Sequence, residues 1–295
     1  MPTIPCSETA FETGYSTEHL ILKHARITYP PSCFVQPPTY DRMHLAMHSP
    51  SLSTRIYIVL VLVAAGLAVA MTYMPFGNLA LAPEDGSMPL STIAAVNGAM
   101  VLVLYGGLGY VGLRLCRKLG YPDVWDRSVP LQERLKNPAM AGLWIGLIFI
   151  VVDNWLARFH HLGPLPHPPF PTSLVASVQA GIGEELIFRL FFVPFLVWLI
   201  SRVMLRGQRE NLVFWVASVF SGIFFAAGHI PSVMLLLGLE SFDAIPMAVM
   251  IEIFVLNGTL SMIAAYSMRK GGFLAAVTVH TTTDLVWHVI WGLMR

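Results

Sequence analysis

The chain has 295 residues, 55% of them hydrophobic and 12% charged, with a mean hydropathy of +0.65. Soluble domains carry about 25% charged residues, so this balance excludes an ordinary soluble globular protein and points to a polytopic membrane protein. A net charge of +1 and a pI near 7.8 give none of the basic excess that phosphate binding requires, and no nucleic-acid partner is expected.

Residues 1–50 are polar, rich in Pro, Ser, Thr and His, and lack the apolar core of a secretory signal. They are expected to form a mostly disordered N-terminal tail ahead of a transmembrane helical domain over 51–295. Met43 or Met47 is an alternative start, because "MHLAMHSPSLSTR" leads directly into the first apolar stretch. Cys6, Cys33 and Cys116 are odd in number and have no CxxC spacing, so neither a disulfide framework nor a zinc knuckle is indicated.

A helix needs roughly 20 apolar residues to cross a hydrocarbon core of about 30 Å. The sequence predicts an all-α bundle of about seven spans, at 56–76, 91–114, 139–157, 172–200, 211–229, 244–267 and 273–293. A short apolar piece, Ser232 to Leu239, reads as a re-entrant or interfacial turn. The Gly-rich patch Tyr105 to Gly109 reads as a close helix contact. Loops after spans two, four and six hold Arg117, Lys118, Arg127, Arg134, Lys136, Arg202, Arg206, Arg209, Arg269 and Lys270, whereas the alternate loops hold almost no basic residue. The positive-inside rule then places the N-terminus in the cytoplasm and the C-terminus outside.

An ionisable side chain at the bilayer centre costs about 2.5–3.5 kcal/mol on insertion scales, so each one marks a candidate site. They cluster in three spans. Span four carries Glu184, Glu185 and Arg189, span five ends at His229, and span seven carries His280 and Asp284. Glu185 and Arg189 are i and i+4, on one helix face, where carboxylate and guanidinium offset much of each other's burial. Glu184 lies about 100° round the helix, has no cation on its own face, and is the better general base. His280 and Asp284 are again i and i+4, so imidazole and carboxyl share one direction. His288 continues that face toward the span's end, as a site residue or an interfacial one. Asp153 and Asn154 read as interfacial at the outer end of span three. Glu252 and Asn257, i and i+5, are candidates for supporting hydrogen bonds.

Two carboxylates and two histidines admit several chemistries. Zinc hydrolysis calls for a ligand signature such as HExxH, which is absent. Serine proteolysis needs a nucleophile motif that Ser232 lacks. Aspartyl proteolysis needs paired Asp, and "GIGE" has glutamate instead. Water activated by glutamate is the most economical chemistry, with no cofactor and no required metal.

Glu184-Glu185-Leu-Ile-Phe-Arg189 matches EExxxR, Phe225 to His229 matches FxxxH, and His280 to Asp284 matches HxxxN/D, in that order on late spans. The pattern resembles the CPBP family of CAAX proteases and bacteriocin-processing proteins, related to the type II CAAX prenyl endopeptidases, over roughly 139–293. The resemblance implies a glutamic intramembrane endopeptidase acting on a membrane-associated peptide or protein in the lipid bilayer, as a multi-pass protein of a prokaryotic inner membrane. It implies Glu184 as base, Glu185 and Arg189 as its supporting pair, and His229 and His280 beside the water and the scissile carbonyl. Prenyl endopeptidases typically end the last motif in Asn. Asp284 would repel an oxyanion unless protonated, salt-linked to a histidine, or used to orient His280. The rival reading is a catalytically silent immunity or scaffold protein; a proton-coupled transporter fits the ordered motifs less well. One tension remains at this stage. Glu184 lies about 24 Å from the cytoplasmic end of its span and His280 about 10 Å from that side, so upright helices would hold them apart.

Overall fold

The computed structural model describes residues 51–75 and 88–295; the expected tail and the alternative start codons lie outside them. Seven helices are each long and apolar enough to span a membrane: α1 Leu52–Met71, α2 Leu90–Leu119, α3 Gln132–Phe159, α4 Thr172–Met204, α5 Glu210–Leu237, α6 Met247–Gly271 and α7 Phe273–Trp291. No strand occurs among the described residues.

The surface has the polarity of a membrane protein. Val103, Trp144 and Val151 point outward, while Asp153, Glu185, Arg189, Glu252 and His280 are buried. With lipid outside, apolar burial gives the helices no reason to associate, and close packing at small residues takes over. The patch Tyr105 to Gly109 behaves as expected: a Cβ at Gly106 would lie 2.8 Å from Val61 of α1, and one at Gly109 would lie 2.8 Å from Leu186 of α4. On α3, Cβ atoms at Gly142 and Gly146 would come within 2.8 Å of Thr282 and 2.6 Å of Val286. α7 is therefore central, packed on α3, α4 and α6.

Several boundaries differ from the sequence reading by a few residues, and three of the differences bear on the fold. α3 starts seven residues before 139, at Gln132. Its first turn survives its charges because buried Arg134 donates to the carbonyls of Asp126 and Val129 and lies 4.1 Å over the Trp125 ring. The Ser232 to Leu239 piece is no separate turn. α5 runs unbroken to Leu237 with Pro231 inside it, and ends at Gly238 with φ +65°. A proline forfeits one ladder bond, and here Val233 and Leu237 pack against the buried Ala226, Val249 and Ile253 beyond it. α4, finally, runs on to Met204.

Within α4 the stretch Leu186–Phe192 is a π-helix. Its wider turns leave carbonyls short of partners, and neighbouring helices supply them: Ser221 Oγ donates to Phe188 O at 3.3 Å, and Cys116 Sγ approaches Leu190 O at 3.9 Å.

The depth tension disappears at the α6–α7 turn. Gly272, with φ +82°, sits so close beneath the α2–α3 loop that a Cβ there would lie 2.6 Å from Asp123 O. Only glycine combines that backbone conformation with that approach. The turn is thus packed against Pro122, Asp123 and Glu133, and His280 reaches the level of Glu185.

Candidate active site

Glu184 and Glu185 close the regular part of α4, just before its π-helical stretch. Gly181, one turn earlier, has no room for a Cβ, because Thr281 of α7 presses on it. This contact carries His280 to the glutamates. His280 Nδ1 lies 2.8 Å from Glu185 Oε1 and donates to it. The other oxygen of Glu185 lies 3.2 Å from Arg189 Nε. Glu185 and Arg189 are completely buried.

Arg189 has a second partner besides the carboxylate. Its guanidinium lies 4.2 Å from the centroid of the Phe225 ring and 5.8 Å from that of Phe188, a cation–π arrangement in a dry site. The same Phe225 ring meets the rings of His229 at 4.7 Å and His280 at 5.6 Å, both steeply tilted. The phenylalanine of the FxxxH pattern is therefore the hub on which arginine and both histidines rest.

Glu184 is placed differently. About a third of its side chain is exposed, against none of Glu185, and it faces a cavity of about 210 Å³. Its Oε2 lies 3.8 Å from His280 Nε2 and 4.0 Å from His229 Nε2, and makes no hydrogen bond with any described residue. His229 Nδ1 donates to Phe225 O at 2.8 Å, so its Nε2 edge is turned toward the carboxylate. Asp284 Oδ2 lies 3.4 Å from His280 Nε2, and Asp284 also borders the cavity. All six residues predicted from the sequence come together. Among the described residues, no group of three or more His, Cys, Asp and Glu side chains is arranged to hold a metal ion.

The cavity extends from Glu184 toward the α3–α4 loop, where Leu165, Pro166 and Pro168 form part of its wall. Leu165 is held at both backbone atoms: its N–H donates to Asp153 Oδ1 at 2.7 Å, and its carbonyl accepts from Arg295 at 3.2 Å. Asp153 is thus buried, with a backbone N–H as its partner. Asn154 turns back on Ile150 O of its own helix at 2.7 Å. Glu252 and Asn257 part company. Asn257 borders the cavity, whereas buried Glu252 faces His160, Oε2 to Nε2 4.0 Å.

His288 joins the cavity wall, and His167 was not anticipated. The Nδ1 atoms of the two lie 3.0 Å apart, and His167 also stands edge-on to Trp287 at 4.8 Å. Burial, with His288 and Arg295 nearby, pushes His167 down to about 3. Flanking prolines in "PHPP" are its sole sequence signal, and they mark a rigid loop without naming what it covers.

Fold and site define a multi-pass membrane protein with a buried cluster of carboxyl, imidazole and guanidinium groups beneath a cavity. Residues 166–286 match the model of the family described as Type II CAAX prenyl endopeptidase Rce1-like, a stretch that contains all six clustered residues. Over that segment the chain is similar to CAAX prenyl endopeptidases. No curated protein and no solved structure matches the chain at a significant level.

Proposed function

We propose that this protein is a glutamic intramembrane endopeptidase that hydrolyses a peptide bond of a membrane-associated protein or peptide with water activated by Glu184. One observation carries the reading: of the two adjacent glutamates, Glu185 is completely buried with its oxygens 2.8 Å from His280 Nδ1 and 3.2 Å from Arg189 Nε, while Glu184 borders the cavity with Oε2 between two imidazole edges at 3.8 and 4.0 Å.

The division of labour follows. A water bound between Glu184 Oε2 and His229 Nε2 gives its proton to Glu184 as its oxygen attacks the scissile carbonyl. When the tetrahedral species collapses, the C–N bond breaks and the leaving nitrogen takes that proton. Glu185 orients His280, Arg189 balances Glu185, and Asp284 steadies the far side of the imidazole. Asp284 here serves as an orienter, which leaves the oxyanion to another donor.

Purified protein in liposomes, presented with a membrane-displayed peptide library, tests the reading against Glu184→Gln, a nearly isosteric change that removes the base. Cleavage by wild type that falls about 10²–10⁴-fold in the variant is expected. Equal cleavage by both, or none by a folded wild type, overturns it, the latter in favour of a binding or scaffold role.

A further inference from the structure

The cavity wall holds Glu184, Asp284, His229, His280 and His288 and very few neutral N–H donors, yet hydrolysis of an amide places negative charge on the carbonyl oxygen. Such an oxyanion is stabilised by preorganised neutral or cationic donors and repelled by carboxylates. The imidazole edges nearest the water are already directed at carboxylates: His280 Nε2 faces Glu184 and Asp284, and His229 Nε2 faces Glu184. Arg189 is buried behind Phe225, away from the cavity wall.

Resting on the endopeptidase reading, we infer that Asn257 is the oxyanion donor of this site. α6 presents Ile253, Leu256, Asn257 and Leu260 to the cavity, the i, i+3, i+4, i+7 spacing of a single helix face. Three of those positions are branched aliphatics, and the fourth is an amide. One of its Nδ2 hydrogens is held by Ile253 O at 2.9 Å, which fixes the amide plane. A primary amide has two such hydrogens, and the second makes no hydrogen bond with a described residue. Three other neutral donors stand on the wall. Ser177 Oγ donates to Ser173 O at 2.7 Å, Ser232 sits exposed beyond His229 near the end of α5, and Trp287 is held edge-on between Phe149 and His167.

In the proposed step the water oxygen bonds to the carbonyl carbon, the C=O electron pair moves onto oxygen, and Asn257 Nδ2–H donates to that oxygen. The donation ends when the carbonyl re-forms and the C–N bond breaks. Asn257 exchanges no proton.

Asn257→Ala and the near-isosteric Asn257→Asp are compared with wild type in liposomes, using the substrate found above, with kcat and KM measured separately and thermal unfolding followed in detergent. The expected result is a fall in kcat of about 10²–10³-fold in both variants, with KM nearly unchanged and the unfolding transition retained. Full kcat in either variant, or a rise in KM alone, overturns the assignment and leaves the endopeptidase reading standing. Loss of the folded transition in both variants also overturns it, by showing the amide to be a packing element. Absence of wild-type cleavage overturns both readings together.

Discussion

Gly181 of α4 and Thr281 of α7 touch with no space for a β-carbon between them. Three and four residues on from Gly181 lie Glu184 and Glu185, and one residue before Thr281 lies His280, so this contact sets the spacing of the site. Gly181→Ala must push the helices apart, because the backbone nitrogen of Thr281, at 3.0 Å, cannot rotate away. Overpacking of this kind costs about 1–3 kcal/mol, and a displacement near 1 Å at a reacting centre costs about 10²-fold in rate. Gly181→Ala is expected to lower the melting temperature modestly and activity severely. Adding Thr281→Ala, which removes the nearest atom, should recover part of both.

Arg189 illustrates how asymmetric a buried pair is. Removing one partner leaves an uncompensated charge, at a cost on the order of 3–5 kcal/mol. Arg189→Met, which fills similar space, should therefore sharply reduce the yield of folded protein, visible as a lost or early unfolding transition. Arg189→Lys should be intermediate, because an ammonium keeps the charge but not the flat stacking on Phe225.

The His167 and His288 pair makes the cavity's rim sensitive to pH. His167 is pushed down to about 3 from its ordinary 6.5, so the folded rim resists a proton that the released loop accepts. Stability is then complete above about pH 6.5 and declines as pH falls from there toward 3. Thermal melts from pH 7.5 to 5 should show a falling transition temperature, and His167→Asn should flatten that slope. An equal slope in the variant would assign the effect to other groups.

Asp284 stands 3.4 Å from His280 Nε2. As an orienter it needs only an oxygen that accepts, which an amide also has. Asp284→Asn should stay within about 10-fold of wild-type kcat, and Asp284→Ala should lose on the order of 10²-fold. A large loss in the Asn variant would show that the carboxyl's charge or proton, not its position, matters.

The spans and the within-helix pairs were legible because they depend on local period: apolar runs of about 20 residues, and the i, i+4 spacing of Glu185 with Arg189 and His280 with Asp284. Which pair joins which was not legible. His280 donates to Glu185, a bond across 95 positions of sequence, and that choice follows from glycine contacts whose partners no local pattern names. Asp153 lies near a helix end, and its partner, the backbone N–H of Leu165 from the α3–α4 loop, is one that no local pattern names. The level of His280 rests on the α2–α3 loop packing against Gly272, a tertiary event that counting residues from a membrane face misses.

The π-helical stretch of α4 also bears on how this chain tolerates change in length. Arg189 lies inside it and Glu185 immediately before it, so the four steps from one to the other complete nearly one widened turn. Deleting Leu186 or Ile187 would relax the segment into a better α-helix, with its ladder restored. The same deletion would leave Glu185 and Arg189 three positions apart instead of four, changing the register of the guanidinium on Phe225 and of the Phe188 carbonyl on Ser221. The helix holds its site by being imperfect, and a redesign that rewarded backbone regularity alone would select the variants that lose it.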